Sequence, residues 1–364
     1  MPAVRAVGLF FLMCVLSQGL VAAVPGDDAS GSATPVRVTK DERSVPVPRA
    51  MQAAAIDRAG DSSVLTLHTL PVPKPNADEV LIAVHTAGVG IWDISVRRHP
   101  EGIKHSSFPL VLGTDGAGIV AAVGSNVRGF KVGDEVYSYN WDNPKGGYYA
   151  EYVAVPAERV GHVPKGLSLT DAGAIATSGL TAIQGIDDAL HLKSGQTVII
   201  HGASGSVGSL AIEFAKLRGA RVLATASGDD GSQFVKRLGA DAVVDGRTGD
   251  ITAAARAFAP GGVDAILALA GGDALERCID VLRPGGRVAF PKGVSPEPKV
   301  RVGMTVIGYD AIAGVHEFER LNQAIEARKL QIPIAAEYPL ADAAKAQQRM
   351  ESGHVLGKIV LRIR

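Results

Sequence analysis

The spacing of apolar residues changes near residue 170. Before that point, short apolar runs bounded by glycine or polar turns predict strands at residues 80–84 and 118–124, and residues 131–136 predict a turn that enters a further strand. Several short strands joined by glycine-containing turns are typical of a compact, barrel-like domain. The first part of the chain is therefore predicted to be rich in β structure.

Beyond residue 170, apolar strands alternate with amphipathic helices. Strands are predicted at residues 198–200, 221–225, 242–244, 264–269 and 287–290. Helices are predicted at residues 206–217 and 233–238, and Gly239 ends the second one. Because strands that alternate with helices build parallel sheets covered on both faces, this region predicts a doubly wound sheet.

The tail of the chain predicts a return to the first domain. From Phe318 onward, two amphipathic helices are followed by a final apolar strand at residues 358–361. We therefore predict an α/β protein with a β-rich domain at residues 51–170 and a doubly wound parallel sheet at residues 171–305. The segment at residues 306–364 is expected to rejoin the β-rich domain.

The residues before position 51 predict a leader and a linker. Arg5, an apolar run at residues 6–16 and small residues ending at Ala23 indicate a secretory signal that is cleaved after Ala23. The apolar run is short for a membrane-spanning helix. Residues 24–50 are polar and aperiodic, which predicts a disordered linker. The protein is therefore expected in the periplasm or outside the cell, and the alternative is a cytoplasmic protein that starts at Met51.

Composition narrows the classes of partner and of metal site. Lys plus Arg and Asp plus Glu number 37 each, so the formal net charge is zero. A neutral chain gives no support for binding to nucleic acid or to an anionic membrane. The two cysteines, Cys14 and Cys278, are too few for a thiolate-rich zinc site, and none of the nine histidines is spaced with another as a ligand pair.

A glycine-rich loop joins the strand at residues 198–200 to the helix at residues 206–217. It reads His201-Gly202-Ala203-Ser204-Gly205-Ser206-Val207-Gly208. Glycine at position 205 lets the backbone approach a pyrophosphate, glycine at position 208 lets the helix pack closely on the sheet, and the helix N-terminus offers N–H groups to the phosphates. The residues predicted to bind a dinucleotide are Gly202, Ala203, Gly205, Ser206, Val207 and Gly208.

The end of the second strand favours NADP(H) over NAD(H). NAD-binding proteins usually carry an acidic residue there, which bonds the ribose hydroxyls. Here the strand leads to Ser227, which can donate a hydrogen bond to a 2′-phosphate and brings no repelling charge. Asp229 and Asp230 lie just beyond and are interpreted as caps of the following helix. Lys236 and Arg237 are candidate basic contacts to the phosphate.

Four further segments, together with the glycine-rich loop, resemble the medium-chain dehydrogenase/reductase superfamily. They are residues 113–120 (GTDGAGIV), 132–136 (VGDEV), 146–153 (GGYYAEYV) and 178–182 (SGLTA). The resemblance covers residues 51–364. It implies a GroES-like catalytic domain built from both chain ends around a central Rossmann domain, which agrees with the predicted order of elements.

The resemblance also indicates a branch of the superfamily. Zinc-dependent members carry a cysteine at the position of Gly90 and a histidine at the position of Thr114, and neither residue found here is a usual zinc ligand. The chain therefore resembles the zinc-free quinone oxidoreductases. This implies hydride transfer from NADPH to a small-molecule acceptor, a quinone or another conjugated carbonyl, with catalysis that is largely positioning and exclusion of water.

The resemblance places a small set of residues in the site. It implies a nicotinamide cleft lined by Thr181, Ala270 and Gly271. The acceptor pocket is expected to be lined by Gly90, Trp92 and Thr114. Trp92 either stacks on a flat acceptor or belongs to the core. Many relatives have a tyrosine near the position of Ser95, so no catalytic residue is assigned.

Other functions remain open at this point. One alternative is an enoyl reductase or a zinc-free alcohol dehydrogenase. Another is a protein that binds NADPH with little turnover, as the family's lens crystallins suggest, because an intact dinucleotide loop is compatible with both. We also expect the chain to form a homodimer.

Overall fold

The computed structural model describes residues 47–104 and 107–364. The predicted signal peptide at residues 1–23 and most of the predicted linker lie outside this part of the chain. At the end of that linker, residues 47–49 are exposed and Ala50 is the first residue of a strand. Within the described ranges, no helix is long and apolar enough to cross a membrane.

The helices and strands fall into three groups along the chain. The first group is β1 (Ala50–Ile56), β2 (Leu65–Pro71), β3 (Glu79–Val89), α1 (Ile91–Arg98), β4 (Leu110–Val111), β5 (Asp115–Val123), β6 (Glu135–Tyr139), β7 (Tyr152–Pro156) and β8 (Val160–His162). The second is α2 (Leu169–Gln184), β9 (Thr197–His201), α3 (Ser206–Leu217), β10 (Arg221–Ala226), α4 (Gly228–Arg237), β11 (Ala242–Asp245), α5 (Ile251–Phe258), β12 (Val263–Ala268), α6 (Asp273–Ile279), β13 (Leu282–Pro291) and β14 (Thr305–Tyr309). The third is α7 (Val315–Arg328), β15 (Ile334–Pro339), α8 (Ala343–Glu351) and β16 (Lys358–Arg362).

The β-rich domain takes strands from both ends of the described chain. Its larger sheet has the order β15-β16-β3-β5-β6-β8, with β7 also paired to β3, and a smaller sheet has the order β2-β1-β4. Strand β16 runs antiparallel to β3, with Ile359 opposite Val89. The last strand therefore lies in the sheet of the first domain, beside β3.

The second domain contains six parallel strands in the order β11-β10-β9-β12-β13-β14. In β9, Val198 and Ile200 pack with the layer that holds α2 and α3, whereas Ile199 packs with the layer that holds α5 and α6. Burial on both faces explains the continuous apolar run of this strand. The strand order reverses between β9 and β12, and such a switch point opens a crevice at the carboxyl ends of the strands.

Helix α4 and strand β14 differ from the sequence prediction. Helix α4 begins at Gly228 rather than at residue 233, because Ser227 has extended backbone and two carboxylates stabilise the first helical turn. Strand β14 pairs with β13 and adds a sixth strand to the parallel sheet. Residues 306–309, which the prediction assigns to the returning segment, therefore lie in the Rossmann sheet.

Helix α1 is absent from the sequence prediction. Its buried residues include Asp93 and Arg97 beside Ile94. Two charged side chains on the buried face hide the apolar period by which an amphipathic helix is detected. The same helix carries Trp92 and lies directly after the end of β3.

Candidate functional site

The loop between β9 and α3 is held to the next strand by Thr225. The Thr225 hydroxyl accepts a hydrogen bond from Gly202 N at 3.1 Å and lies 2.9 Å from Nδ1 of His201, and the Thr225 carbonyl accepts one from Ala203 N at 3.0 Å. Burial lowers the pKa of His201 to about 4, with a smaller contribution from the charge of Arg277. His201 is therefore a neutral structural residue at neutral pH.

The two glycines of the loop have opposite surroundings. Among the described residues, a Cβ atom added to Gly205 would meet only Gly202 O, at 3.7 Å, so the space above this residue is open. A Cβ added to Gly208 would lie 2.4 Å from Gly202 O and 2.6 Å from Ala203 Cα. Gly205 is also the N-cap of α3 and leaves the end of that helix without a side-chain cap. An open backbone face at a helix N-terminus fits a pyrophosphate.

The adenosine end of the crevice contains a carboxylate that the sequence interpretation missed. Oδ2 of Asp245, at the end of β11, accepts a hydrogen bond from Gly228 N at 2.8 Å. Hydrogen bonds from the backbone N–H groups of Thr248, Gly228 and Arg247 lower its pKa to about 2, so it is ionised. The charge comes from the third strand of the domain, whereas the interpretation considered only the second. Register between β10 and β11, with Ala226 opposite Asp245, brings it there.

The other predicted residues of this end lie on helix α4. Ser227 is its N-cap but makes no side-chain cap hydrogen bond. Asp229 and Asp230 occupy the first turn of the helix, and Lys236 and Arg237 occupy the last. The two basic residues therefore lie about two turns from the tip of β10, which leaves them badly placed for a phosphate at that tip.

The residues predicted to line the nicotinamide cleft lie at the same edge of the parallel sheet as the glycine-rich loop. Leu269 N donates to His201 O at 3.0 Å, which fixes the segment after β12 beside the glycine-rich loop. In that segment Ala270 is exposed and Gly271 is half-buried. Thr181 is buried in α2, and its carbonyl accepts a hydrogen bond from the hydroxyl of Tyr309, the last residue of β14, at 2.9 Å. Their contacts with a nicotinamide stay predictions.

The three predicted acceptor residues are in contact with one another. Nε1 of Trp92 donates to Oγ1 of Thr114 at 2.7 Å. A Cβ added to Gly90 would lie 2.2 Å from the Trp92 ring, so the indole fills the space in which a side chain at position 90 would sit. A cavity beside them is lined by Asp93, Thr114 and Asn140 among others. Trp92 is half-buried.

Beneath Trp92 lies a buried ion pair that the sequence interpretation did not find. Nζ of Lys358 lies 3.3 Å from Oδ2 of Asp115 and 4.7 Å from the centre of the Trp92 ring. Lys358 and Asp115 are 2% and 0% exposed, so both charges are removed from water. The same oxygen of Asp115 accepts a hydrogen bond from Thr177 N at 3.1 Å, which joins the β-rich domain to α2. The sequence signal that could have found this ion pair is Lys358, a lysine at the first position of the apolar strand β16.

A second buried carboxyl group lies beside this ion pair. Oδ2 of Asp93 accepts hydrogen bonds from Gly90 N at 2.7 Å and from the Tyr149 hydroxyl at 3.1 Å. Burial, with the nearby charge of Asp115, raises the pKa of Asp93 to about 7 against the opposing effect of its hydrogen bond from Gly90. Among the described residues, Oδ1 of Asp93 and Oδ1 of Asp115 have no hydrogen-bond partner. Asp93 lines the cavity, so one of these unsatisfied oxygens belongs to a residue of the cavity wall.

The chain is similar to known proteins over most of its length. The family model of the alcohol dehydrogenase GroES-like domain matches residues 76–165, and that of the zinc-binding dehydrogenase matches residues 238–361. The quinone oxidoreductase of Sus scrofa is 31% identical over 326 residues, covering 85% of this chain and 97% of that protein. The solved structures of the quinone oxidoreductase from Coxiella burnetii (30% identity) and of mycobacterial Rv1454c complexed with NADPH (27% identity) each match with a TM-score of 0.77, over 86% of this chain and 100% of theirs.

The open glycine-rich loop lies at the switch point of a Rossmann sheet, and a buried polar pocket lies in a GroES-like domain. Together these features define a nucleotide-dependent oxidoreductase. The chain belongs to the medium-chain dehydrogenase/reductase family, in its quinone oxidoreductase-like branch. The predicted family and fold class are thereby confirmed. Within the described residues, no group of three or more His, Cys, Asp or Glu side chains could hold a metal ion.

Proposed function

We propose that this protein reduces quinones or other conjugated carbonyl compounds with NADPH. The observation that carries the proposal is the open cradle at Gly205, which lies in the same chain as a polar acceptor pocket around Trp92 and Thr114. The likeness to the Sus scrofa quinone oxidoreductase and to a mycobacterial structure in complex with NADPH supports both the acceptor and the cofactor.

The residues of the site have two roles, binding the cofactor and positioning the acceptor. NADPH supplies the hydride when it is bound, and the protein supplies orientation and a dry site. The glycine-rich loop and the N-terminus of α3 hold the pyrophosphate. Thr181, Ala270 and Gly271 border the nicotinamide, and Trp92 with Thr114 holds the acceptor against it. Alignment of two bound reactants is sufficient for a large part of such a rate enhancement.

A panel of acceptors tests this function. Purified protein is assayed with NADPH and NADH against ortho-quinones, para-quinones, enones and enoyl thioesters. Steady NADPH oxidation with a quinone is expected, and a Gly205→Val variant should lose it because the added side chain fills the open cradle. Preference for enoyl thioesters would instead support the enoyl reductase, and NADPH binding without oxidation by any acceptor would support a binding protein.

We also propose that the reaction needs no zinc. At position 90 the Trp92 ring occupies the space that a cysteine side chain would need, and the ammonium group of Lys358 lies against the same ring. Activity should survive exhaustive chelation, and elemental analysis should find less than one zinc per chain. Stoichiometric zinc that is lost together with activity would contradict the proposal.

A homodimer is proposed on the basis of the free edge of the parallel sheet. Among the strands that the structure describes, β14 pairs only with β13 in that sheet. Val300 and Val302, in the segment that leads into β14, are 73% and 106% exposed. An edge strand with apolar side chains beside it is a template for pairing with a second copy. Light scattering after gel filtration should give twice the chain mass, and a Val302→Lys variant should shift it toward the monomer; a monomeric wild type excludes the dimer.

Export is proposed from the sequence of residues 1–23. The basic Arg5, the apolar run and the small residues before Val24 support it. The protein purified from its native host should then begin at Val24, as measured by N-terminal sequencing. A chain that begins at Met1 and fractionates with the cytoplasm would favour the alternative location.

A further inference from the structure

The loop between α8 and β16, residues 352–357, crosses the cofactor crevice. At one end of this loop, Gly357 N donates to Ser204 O at 2.9 Å, and Gly357 forms an isolated bridge with Gly205. At the other end, Nε2 of His354 lies 2.8 Å from Oδ2 of Asp230 in the first turn of α4. The loop therefore contacts both the pyrophosphate loop and the adenosine end of the site.

The α8–β16 loop is held in place from its own side. Arg349 donates to the hydroxyl of Ser352 at 3.0 Å, to the carbonyl of Gly353 at 2.8 Å and to the carbonyl of His354 at 3.1 Å. His354 has a left-handed backbone, with φ of 51°. A residue other than glycine rarely adopts this conformation unless the surroundings fix it. The backbone of the loop therefore fixes the position of the imidazole.

The imidazole lies at the tip of strand β10. A Cβ added to Gly228 would be 3.6 Å from Cε1 of His354. In Rossmann domains the ribose of the adenosine lies at this tip, and the residues around it discriminate a 2′-hydroxyl from a 2′-phosphate. The neighbouring hydroxyl of Ser227 does not cap α4.

The carboxylates around the tip of β10 make a hydrogen-bond donor such as His354 important for binding a phosphate there. Asp230 and Asp245 both bring carboxylates, and Asp245 is ionised because three backbone N–H groups bond it. Two carboxylates alone would repel a dianionic phosphate. Arg247 follows Asp245 and is exposed, whereas Lys236 and Arg237 lie at the far end of α4. The imidazole N–H that now contacts Asp230 is a donor already placed at the tip, in addition to the Ser227 hydroxyl.

We propose that His354 recognises the 2′-phosphate of NADPH, and that the α8–β16 loop closes the adenosine end of the cofactor site. This inference rests on the proposed use of NADPH. With the phosphorylated nucleotide bound, the phosphate competes with Asp230 for the imidazole N–H. With NADH bound, the His354–Asp230 contact stays as it is. His354 therefore contributes to the affinity for one nucleotide and not for the other.

Binding titrations without any acceptor test the proposal. Dissociation constants for NADPH, NADH and 2′,5′-ADP are measured by calorimetry for the full chain and for a His354→Gln variant. We expect NADPH and 2′,5′-ADP to bind about tenfold more weakly to the variant, since one hydrogen bond to a charged group is lost. NADH should bind as before. A His354→Lys variant should restore the preference, because Lys329 shows that lysine is tolerated in the left-handed conformation elsewhere in this chain.

Two matched variants complete the test. His316→Gln changes an exposed histidine on α7 and should bind all three ligands like the wild type. Arg247→Gln should weaken NADPH less than His354→Gln does. Equal losses for NADPH and NADH in His354→Gln, no loss at all, or a loss specific to NADPH only in Arg247→Gln would each overturn the assignment. Failure of the proposed quinone reduction would show separately, as absence of turnover with either nucleotide.

Discussion

The two halves of the site are built in different ways. The cofactor half consists of backbone groups and glycines at the ends of apolar strands, and its shape depends on the absence of side chains at Gly205 and Gly208. The half proposed to hold the acceptor contains buried ionisable side chains, namely Asp93, Asp115 and Lys358. In the first half, side chains are absent from the surface around the loop, and in the second half, ionisable side chains are buried away from water.

This difference has consequences for stability as well as for binding. Backbone N–H groups at a helix end hold a pyrophosphate without any buried charge of their own. A buried ion pair, by contrast, is costly to break, because removing one partner leaves an uncompensated charge in a medium of low dielectric constant. Substitutions in the acceptor half should therefore act mainly on folding and its dependence on pH, and substitutions in the cofactor half mainly on nucleotide binding.

The largest effect is expected when Lys358 is replaced by Met. The variant leaves Asp115 buried without its cation and should lose about 3–5 kcal/mol of unfolding free energy in urea titrations. The double variant Lys358→Met/Asp115→Asn removes both charges and keeps an acceptor for Thr177 N, so most of the loss should be recovered. A cost below about 1 kcal/mol in the single variant would show that the pair is not desolvated as the structure places it.

The pH dependence of stability should change when Asp93 is replaced by Asn. The folded pKa of Asp93 is about 7, whereas an unfolded aspartate titrates near 3.9. Between these values the folded state keeps a proton that the unfolded state has released. Asp93 therefore lowers stability as the pH rises through this window, by roughly 2–3 kcal/mol from pH 5 to pH 7.

Urea titrations of wild type and Asp93→Asn at these two pH values measure the effect. The variant can still accept the hydrogen bond from Gly90 N. Its unfolding free energy should lack the decrease between pH 5 and pH 7 that Asp93 causes. Asp61→Asn, which removes an exposed N-cap carboxylate, is the control and should retain it. Equal slopes in the wild type and Asp93→Asn would mean that Asp93 is ionised in the folded protein.

In the cofactor half, two alanine substitutions should separate folding from binding. Gly208→Ala forces the start of α3 away from Gly202 O and should cost about 1–3 kcal/mol of stability. Gly205→Ala meets open space and should leave stability within about 0.5 kcal/mol of wild type, because surface substitutions have effects of that size. It should nevertheless weaken NADPH binding in a calorimetric titration. Comparable stability losses in both variants would show that the space above Gly205 is closed.

The smallest effect is expected for Trp92→Phe, which tests the acceptor side alone. The variant keeps an aromatic ring but loses the hydrogen bond from Nε1 to Thr114. We expect the KM for a quinone to rise about three- to tenfold, in line with the loss of one neutral hydrogen bond. The NADPH dissociation constant should not change. A change in NADPH affinity with an unaltered KM would place Trp92 outside the acceptor pocket.

Much of the cofactor half could be predicted from the sequence. Helix α3 runs over the predicted residues 206–217, and the predicted strand at 198–200 lies within β9. The residues of the glycine-rich loop are contiguous, so their spacing alone indicates a turn between a strand and a helix. At the adenosine end the prediction considered the second strand and missed Asp245, which is brought there by the pairing of β10 with β11.

The acceptor half could be predicted only through its outer residues. Gly90, Trp92 and Thr114 were expected near one another, and the structure brings them into contact. Asp93 and Lys358 were not singled out, because a charged residue in an apolar segment gives no periodic signal. Helix α1 was not predicted for the same reason, since its buried face carries Asp93 and Arg97.

The sequence by itself determined the alternation of strands and helices in the second domain, the glycine-rich loop for the pyrophosphate and the family, because each depends on motifs whose residues are close together in the chain. The tertiary structure alone decided which distant charges meet. Lys358 and Asp115 are 243 positions apart, and His354 and Asp230 are 124 positions apart. Both contacts depend on the return of β16 to β3 and on the α8–β16 loop that precedes it. Local propensity cannot encode such pairings, since they follow from packing and from the cost of burying an unpaired charge.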